Sequence, residues 1–370
     1  MNWTEKTWIV ATCGRGGADV LKAELKALGY EPQDVSATSV GLEGDLRDAM
    51  RLNLWLRSAN RVLFEVAGFE IDSADDLYEA VRSLPWEEWL RRDAPFHVHG
   101  VAQHETIRDP RFAVLRCKDA IADRFVEQTG ARPDSTATPE GASCVALYWK
   151  EQSAQIFLDT SGLPLSHRGY RWRGWVAPLR ETLAASIVLA TEWGKNPAEA
   201  FVGPMCGSGT LAIEAAWIAQ NRAPGLDRED YAFLRLDGVD TEAWRTLKAE
   251  ARSRFVAAPR TWIAASDVDA QAIACARENA GRAGVDGLIR FHTCDFRDTP
   301  LPKPPVLIVM NPEYGERMGL EERLVPLYEG IGTYFKTKCQ GMRGAVFTGN
   351  LPLGRKIGLH PTRRTAMWNG

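Results

Sequence analysis

The sequence predicts an α/β protein in which an α+β front part precedes a parallel sheet with helices on both faces. Up to about residue 160, short alternating apolar segments are mixed with amphipathic helical segments, which is typical of mixed strands and helices. Beyond that point, short apolar strands alternate with longer helical segments, and this predicts parallel strands joined by helical crossovers. The 370 residues are enough for two or three domains.

The elements of the front part follow from the spacing of apolar residues. Residues 7–13 form a predicted strand, and the next segment carries Val20, Leu21 and Leu25 at helical spacing before Gly29 ends it. Residues 35–43 alternate like strands around a turn. The remaining predicted strands lie at 61–69, 96–101, 143–149 and 154–159, and the remaining predicted helices at 46–56, 75–82, 86–90 and 113–128. This succession indicates small ferredoxin-like groupings.

The second part follows residues 159–178, a segment rich in Gly, Arg, Trp and Ser that fits a linker or hinge. Its predicted strands lie at 198–202, 262–266, 288–292, 306–310 and 344–348, and its predicted helices at 210–220, 243–255 and 270–283. In a sheet of this kind, ligands bind outside the carboxyl ends of the strands. The polar residues that follow each strand are therefore the candidate site residues.

Composition excludes several classes of protein. Hydrophobic residues make up 45% and charged residues 25% of the chain, which is enough apolar side chain for a core. No apolar run approaches the roughly 20 residues of a membrane span, and the N-terminus lacks a signal-peptide pattern, so we expect a soluble, cytoplasmic protein. The seven cysteines are scattered without a Cys-x-x-Cys pair, which disfavours a disulfide framework and a zinc ribbon. The net charge of −3 disfavours a globally basic nucleic-acid binder but allows a local basic patch.

The sharpest local motif is Gly-Pro-Met-Cys-Gly-Ser-Gly-Thr at residues 203–210, between a predicted strand and a predicted helix. Glycines there allow a ligand to approach the backbone and the N–H groups of a helix N-terminus. Residues 207–212 also satisfy G-x-G-x-x-A, but a dinucleotide site expects an acid about 20 residues further on. The next predicted strand ends much later, at Asp267, so the dinucleotide interpretation is disfavoured.

Two acids and one asparagine follow later strands. Asp267 and Asp295 each come at a strand end, where one carboxylate could accept ribose hydroxyls and another an exocyclic amine. Either could instead cap a helix, although Asp269 is better placed as a cap. Asn311-Pro-Glu-Tyr follows the apolar segment 306–310, and its amide and proline oxygens could hold a planar NH2 group while Tyr314 stacks on the base. The alternative is a polar turn capped by the asparagine.

Taken in order, these motifs resemble those of the THUMP-containing RNA guanine-N2 methyltransferases, in particular those that act on bacterial large-subunit ribosomal RNA. The resemblance covers nearly the whole chain. Further segments that carry it lie at residues 53–61, 75–80, 117–124, 159–162, 168–171, 177–185 and 221–225.

The resemblance implies a Rossmann-like class I SAM methyltransferase domain at residues 181–370. Before it we expect a ferredoxin-like domain at 1–58, a THUMP RNA-binding domain at 59–160 and a linker at 161–180. The implied SAM-binding residues are Pro204, Cys206, Gly207, Ser208, Gly209, Thr210, Asp267, Asp295 and Phe296. The implied target-base residues are Asn311, Pro312 and Tyr314.

The chain departs from the family pattern at three places. Gly203 stands where the family has an aspartate, which should weaken SAM binding unless another acid substitutes. Glu313 replaces the second proline of Asn-Pro-Pro-Tyr, where it could accept a proton or repel RNA phosphate. The sequence ends at Gly370, whereas family members usually continue with one more strand.

A basic and aromatic cluster lies near the predicted linker. Cations and aromatic rings suit phosphate contact and base stacking, although Trp residues could also pack between domains. The candidate RNA-binding residues are Arg168, Arg171, Arg173 and Arg180, with Tyr170, Trp172 and Trp175 beside them. We assign no metal, because no nearby cysteine or acid completes a convincing ligand set with His97, His99 and His104, and surface histidines are the simpler interpretation.

The leading hypothesis is a SAM-dependent methyltransferase that forms N2-methylguanosine in large-subunit ribosomal RNA. The main alternative is a non-catalytic RNA-binding or ribosome-assembly factor with a degenerate SAM site, since Gly203 and Glu313 depart from the pattern. Adenine N6 or glutamine N5 are other possible acceptors, because an Asn-Pro-x-Tyr site suits any planar NH2 group. An NAD-dependent oxidoreductase would rest on G-x-G-x-x-A alone. The sequence does not predict an oligomeric state.

Overall fold

A computed structural model describes residues 2–172, 179–315 and 321–369. Arg173 and Trp175 of the predicted basic cluster lie outside the described residues. The chain divides into two compact units, each of which collects separate stretches of sequence. The first unit comprises Met1–Cys13, Leu21–His167 and Gly225–Ala251, and the second comprises Gly14–Val20, Arg168–Pro224 and Arg252–Gly370.

The first unit contains a seven-stranded mixed sheet. Its strands are β1 (Thr7–Cys13), β2 (Asp34–Val35), β3 (Ser39–Gly44), β4 (Ala59–Glu70), β5 (Phe96–Gln103), β6 (Ser143–Lys150) and β7 (Ser153–Asp159). The strand order is β2-β3-β1-β4-β7-β6-β5, and only the β5–β6 pair is parallel. Strand β4 pairs with both β1 and β7, so one continuous sheet joins the stretches of sequence that the resemblance divides at residue 58.

Helices of the front part have clear end signals. They are α1 (Ala18–Ala27), α2 (Leu46–Trp55), α3 (Ala74–Arg82), α4 (Trp86–Trp89) and α5 (Pro110–Thr129). Asp45 and Asp48 form a capping box at the start of α2, which satisfies two N–H groups that the helix leaves unpaired. Asp109 caps α5, and the left-handed Gly130 ends it. The predicted strands and helices of this part are all present.

The carboxyl end of β7 carries a buried polar network. Asp159 accepts the N–H groups of Ser161 and Gly162, forms an ion pair with Arg61 and bonds His99 Nε2 at 2.9 Å. Burial opposes its ionisation, but the bonds from His99 and Arg61 hold the pKa of Asp159 below its usual value. His99 thus contacts a carboxylate that holds a turn, and the described residues contain no cluster of three or more metal-ligating side chains.

The second unit contains a five-stranded parallel sheet. Its strands are β8 (Ala200–Pro204), β9 (Ile263–Asp267), β10 (Ile289–Thr293), β11 (Val306–Met310) and β12 (Arg343–Val346), in the order β10-β9-β8-β11-β12. Its helices are α6 (Glu181–Ala190), α7 (Thr210–Ala219), α9 (Ala270–Arg282), α10 (Glu321–Thr337) and α11 (Leu351–Lys356). The five residues of β11 are all buried, as expected for a strand covered on both faces.

Most of the segment between α7 and β9 belongs to the first unit, although it lies between two elements of the second unit in the sequence. Residues Gly225–Ala251, which include most of α8 (Thr241–Ser253), belong to the first unit. Leu236 forms a bridge with Leu90, and the N–H of Gly225 donates to Leu54 O at 3.0 Å. Helices α6 and α11 were not predicted as helices from the sequence. No helix in the described part of the chain is long and apolar enough to cross a bilayer.

Candidate active site

The candidate site lies where the strand order of the parallel sheet reverses. From β8 the chain proceeds to β9 and β10 on one side, and then returns to β11 and β12 on the other. In such sheets a crevice opens outside the carboxyl ends of the two central strands. The glycine-rich loop follows β8, and the Asn311 loop follows the adjacent β11. The topology therefore brings together the two motifs that the sequence separates by about a hundred residues.

The backbone of the glycine loop is left-handed at three positions, two of which are glycines. Gly207 and Gly209 have φ values of 52° and 82°, and Met205 shares this left-handed region at 56°. A Cβ on Gly209 would lie 3.0 Å from the Cβ of Ala276 in α9. The glycine thus permits both the turn and close packing of α9. Helix α7 begins at Thr210, and its N-cap Gly209 has no side chain to pair with the helix N–H groups.

Asp267 braces this loop from the end of β9. Its Oδ2 accepts the N–H of Gly207 at 2.9 Å, and its Oδ1 accepts the N–H of Asp269 at 3.0 Å. The N–H of Cys206 donates to Ser266 O at 2.9 Å, which ties the loop to the same strand end. Asp269 caps α9, as the sequence predicted. Each oxygen of Asp267 has further lone-pair capacity for a ligand hydroxyl.

Arg171 contacts the loop at Ser208 and at Thr210. Its Nε forms an ion pair with Glu181 Oε1 at 2.7 Å, and its Nη2 donates to Leu179 O at 2.7 Å. The same guanidinium lies 3.4 Å from Ser208 Oγ and 3.3 Å from Thr210 Oγ1. A residue that the sequence suggested for RNA contact is therefore part of the support of the glycine loop.

Asn279 in α9 completes this support, and sequence reasoning did not find it. Its Nδ2 donates to Ser208 O at 3.1 Å, and its Oδ1 accepts the N–H of Trp172 at 3.1 Å. Glu181, the partner of Arg171, lies in the 177–185 segment that carries the resemblance, which is the one sequence signal that pointed to it. Burial raises the pKa of the Cys206 thiol, so this cysteine stays neutral and is not an activated nucleophile.

The predicted basic cluster separates into buried and exposed members. The Arg168 side chain is only 2% exposed and forms an ion pair with Glu214, which also accepts the hydroxyl of Tyr170 at 3.0 Å. This burial does not fit the prediction that Arg168 contacts RNA. Arg180 is exposed at the start of α6, and Trp172 is 55% exposed. The Arg282 guanidinium lies 3.9 Å from the ring centroid of Trp172, so this pair is open to solvent.

Asp295 and Phe296 begin a 3-10 turn after β10. Asp295 caps this turn and forms a bidentate pair with Arg297, at 2.7 and 2.8 Å. The hydrogen bonds from Arg297 lower the pKa of Asp295 and keep its carboxylate ionised. Phe296 is buried and packs edge-on against Tyr334, with ring centroids 5.5 Å apart.

The Asn311 loop holds a buried acceptor. Asn311 Oδ1 is inaccessible to solvent, and no described residue donates a hydrogen bond to it. Pro312 is buried, Tyr314 is half-buried and Glu313 is exposed. Tyr328 of α10 donates its hydroxyl to Glu313 O at 3.2 Å. An unpaired buried acceptor is destabilising by about 1–3 kcal/mol, so it is expected where a ligand supplies the donor. Arg317, which follows this motif, lies outside the described residues.

Comparisons with known proteins agree with this architecture. The profile of the RMKL-like methyltransferase domain matches residues 168–370, that of the RlmL ferredoxin-like domain residues 9–63, and that of the THUMP domain residues 72–137. A ribosomal RNA large subunit methyltransferase K/L from Syntrophotalea carbinolica is 40% identical over 97% of this chain and 52% of the relative. Its counterpart from Allochromatium vinosum is 37% identical over 95% of this chain and 48% of the relative. The chain thus spans about half the length of these relatives.

Solved structures match over nearly the full chain. SMU.472, crystallised as a complex with SAH, has a TM-score of 0.88 at 28% identity and covers 99% of this chain and 96% of its own. A predicted N6-adenine-specific DNA methylase from Listeria monocytogenes has a TM-score of 0.88 at 33% identity, covering 98% and 94%. The resemblance inferred from the motifs is confirmed. The chain belongs to the RMKL-like methyltransferase-domain family, and this domain follows an RlmL ferredoxin-like domain and a THUMP domain.

Proposed function

We propose that this chain is a SAM-dependent RNA methyltransferase that forms N2-methylguanosine in large-subunit ribosomal RNA. The observation that carries the proposal is the buried Asn311 Oδ1, to which no described residue donates a hydrogen bond, at the end of the strand adjacent to the glycine loop. A planar NH2 group would supply a donor to this oxygen. The curated relatives act on large-subunit ribosomal RNA by name, and the THUMP match supports RNA as the substrate.

The residues around the glycine loop fit S-adenosylmethionine. This co-substrate supplies an electrophilic methyl group on a sulfonium ion. Residues 206–210 would hold its methionine part, because the glycines of this loop allow close approach to the backbone and no side chain caps the first turn of α7. Asp267 would accept ribose hydroxyls through its remaining lone pairs, and Asp295 with Phe296 would hold the adenine.

Asp267 would also compensate for the absence of an acid at position 203. A Cβ on Gly203 would lie 3.3 Å from a ring carbon of Phe201, so this buried position is tight for a larger side chain. The loop N–H of Gly207 is instead held by Asp267. An acid from the neighbouring strand therefore braces the loop, which supports a functional rather than a degenerate site.

The Asn311 loop would orient the target base. Asn311 Oδ1 and the Pro312 carbonyl would each accept one N–H of the exocyclic amine, which aims the nitrogen lone pair along the crevice. Tyr314 would stack on the base, an interaction worth roughly 1–3 kcal/mol. A nitrogen that has gained a methyl group loses its proton readily to water, so the catalytic contribution of these residues is positioning and electrostatics.

The decisive experiment offers tritiated SAM and unmodified large-subunit RNA to the purified protein and identifies the product nucleoside by mass spectrometry. We expect N2-methylguanosine. N6-methyladenosine would instead show that the planar NH2 slot accepts adenine, as the name of the Listeria relative suggests for that protein. No label on RNA that a related active enzyme methylates would contradict the proposal.

The second candidate is a non-catalytic RNA-binding or assembly factor, favoured by Gly203 and Glu313. Calorimetric titration with SAM and with its demethylated product separates the two functions. Micromolar binding supports the transferase. RNA binding without any binding of SAM would favour the assembly factor.

A further inference from the structure

The residues that follow β12 lie beside the Asn311 loop. Strand β12 pairs in parallel with β11, with Met310 opposite Val346, and the N–H of Phe347 still donates to Met310 O at 2.9 Å. The ladder thus carries residues 348–350 alongside the Asn311 loop. The sequence Thr-Gly-Asn at these positions was not recognised as part of any motif.

Tyr328 connects the two segments through its hydroxyl group. The side chain is fully buried in α10, and its Oη bonds both Glu313 O at 3.2 Å and Thr348 Oγ1 at 2.8 Å. A phenol has one proton, so when Tyr328 donates to the carbonyl of Glu313 it accepts from Thr348. Burial raises the pKa of Tyr328, so the proton remains in place at physiological pH.

Thr348 is in turn held by its own chain. Its Oγ1 accepts the N–H of Asn350 at 3.2 Å, and Asn350 caps α11 by accepting the N–H of Leu353 at 3.0 Å. Thr348 Oγ1 also lies 3.5 Å from Asn350 O, a longer contact than the 2.8 Å to Tyr328 Oη. The shorter bond joins Thr348 to the hydroxyl of Tyr328, which in turn bonds the peptide that joins Glu313 to Tyr314.

Gly349 leaves space for the ring of Tyr314. A Cβ on Gly349 would lie 2.9 Å from both Cδ2 and Cε2 of that ring. The φ of Gly349 is outside the left-handed region, so its backbone accepts any residue and space alone demands the glycine. An alanine here would require the ring to move by about 0.5 Å to reach ordinary contact.

We propose that Tyr328, Thr348 and Gly349 are positioning residues that set the position and orientation in which the Asn311 loop holds the target base. The hydroxyl pair holds the carbonyl side of the loop, and the glycine sets where the Tyr314 ring lies. This inference rests on the proposed function, because it concerns the same site. None of the three residues touches the reacting atoms, so each acts through the Asn311 loop.

The test compares Gly349→Ala with Gly344→Ala. A Cβ on Gly344, in β12, would meet the ring of the half-buried Phe335 rather than the ring of Tyr314. Both variants are expected to lower Tm. Gly349→Ala should in addition lower kcat/KM for RNA by about 10-fold or more while SAM affinity stays within about twofold. Gly344→Ala should leave kcat/KM for RNA unchanged. Equal kinetics in both variants would overturn the role of Gly349.

Matched substitutions test the hydrogen bonds that link Thr348, Tyr328 and the Glu313 carbonyl. Tyr328→Phe removes the bonds to Glu313 O and Thr348, and Thr348→Val removes the bond to Tyr328 together with the acceptor of the Asn350 N–H. We expect each substitution to lower kcat/KM for RNA by about 3- to 10-fold. Thr348→Ser keeps the hydroxyl and should restore the wild-type value. A serine variant as slow as the valine variant, or a phenylalanine variant as fast as the wild type, would refute the bridge.

A readout that does not require turnover separates this inference from the proposed function. In a crystal structure of Gly349→Ala, the Tyr314 ring should be displaced relative to the wild type by about 0.5 Å. A displaced ring supports the inference even if wild-type protein methylates no RNA, in which case only the proposed function fails. An unmoved ring contradicts the inference even if the wild type is active.

Discussion

The loops that follow the adjacent strands β8 and β11 are held in different ways. The glycine loop is bonded from Asp267, from Asn279 in α9 and from Arg171 before α6. In the Asn311 loop, the best-placed acceptor, Asn311 Oδ1, receives no hydrogen bond from any described residue. The first loop is shaped before a ligand arrives, whereas the second retains an acceptor for one. A site with a buried acceptor discriminates strongly against ligands that lack the matching donor.

The largest expected effect tests the unpaired acceptor. Asn311→Ala should lower the single-turnover rate of methyl transfer by about 100-fold or more, because a preorganised acceptor at the reacting amine is removed. Affinity for SAM, measured by calorimetry, should remain unchanged, since the glycine loop keeps its own support. Asn311→Asp keeps an oxygen acceptor and should retain more activity than the alanine variant. A loss of SAM affinity in Asn311→Ala would show that the two loops are not independent.

The next effect tests the brace beneath the glycine loop. Asp267→Ala removes the charged acceptor of the Gly207 N–H, and we expect the Kd for SAM to rise by about 10- to 100-fold. Asp269→Ala is the matched control, because it removes the cap of α9 two residues away. That control should lower stability by about 1 kcal/mol and leave SAM affinity unchanged. Equal SAM affinity in the two variants would contradict the role of Asp267.

A smaller effect distinguishes two roles for the arginines of the basic cluster. Arg171→Met should raise the Kd for SAM by about 3- to 10-fold, because it removes contacts to Ser208 and Thr210, while the salt dependence of RNA binding stays the same. Arg180→Ala should do the reverse and reduce the slope of log K against log salt by roughly 0.7 to 0.9. A reduced slope in Arg171→Met would instead show that Arg171 contacts RNA phosphate.

The smallest effect concerns Asp295, whose pKa is lowered by hydrogen bonds from Arg297. A carboxyl with a lowered folded-state pKa stabilises the protein above its unfolded pKa, and this contribution is lost as the pH falls through the folded value. Arg297→Ala should therefore reduce the free energy of unfolding at pH 7 only slightly, because solvent screens this exposed pair. Urea unfolding should show this difference shrinking below about pH 4. A difference that grows in acid would contradict the assignment.

Local patterns predicted much of the fold and the principal motifs of the site. The alternation of strands and helices after residue 160 predicted the parallel sheet, and the apolar segment 306–310 predicted a strand, which the structure shows to be fully buried. Asp269 was predicted as a cap because an acid directly before a helix satisfies its first N–H groups. These features depend on residues within a few positions of one another, so the sequence alone determines them.

Contacts between distant residues were not predictable in this way. Arg168 and Arg171 lie three residues apart in the same Arg-rich segment, and the sequence around them does not distinguish their roles. In the structure, Arg168 pairs with buried Glu214, whereas Arg171 supports the glycine loop. Residues 225–251 group with the first unit, although their sequence lies within the strand–helix alternation. Nothing in the spacing of Tyr328, Gly349 and Tyr314 indicates that they meet.

The sequence by itself determined the elements, the two loops and the chemistry that they can offer. Only the tertiary structure decided which side chains support those loops and which buried polar atom, Asn311 Oδ1, has no hydrogen-bond partner among the described residues. The physical reason is that helix and strand signals are short-range, whereas a partner across the sheet depends on strand order. The reversal of that order between β8 and β11 places Asn311 beside the glycine loop, and the pairing of β11 with β12 brings Gly349 to Tyr314.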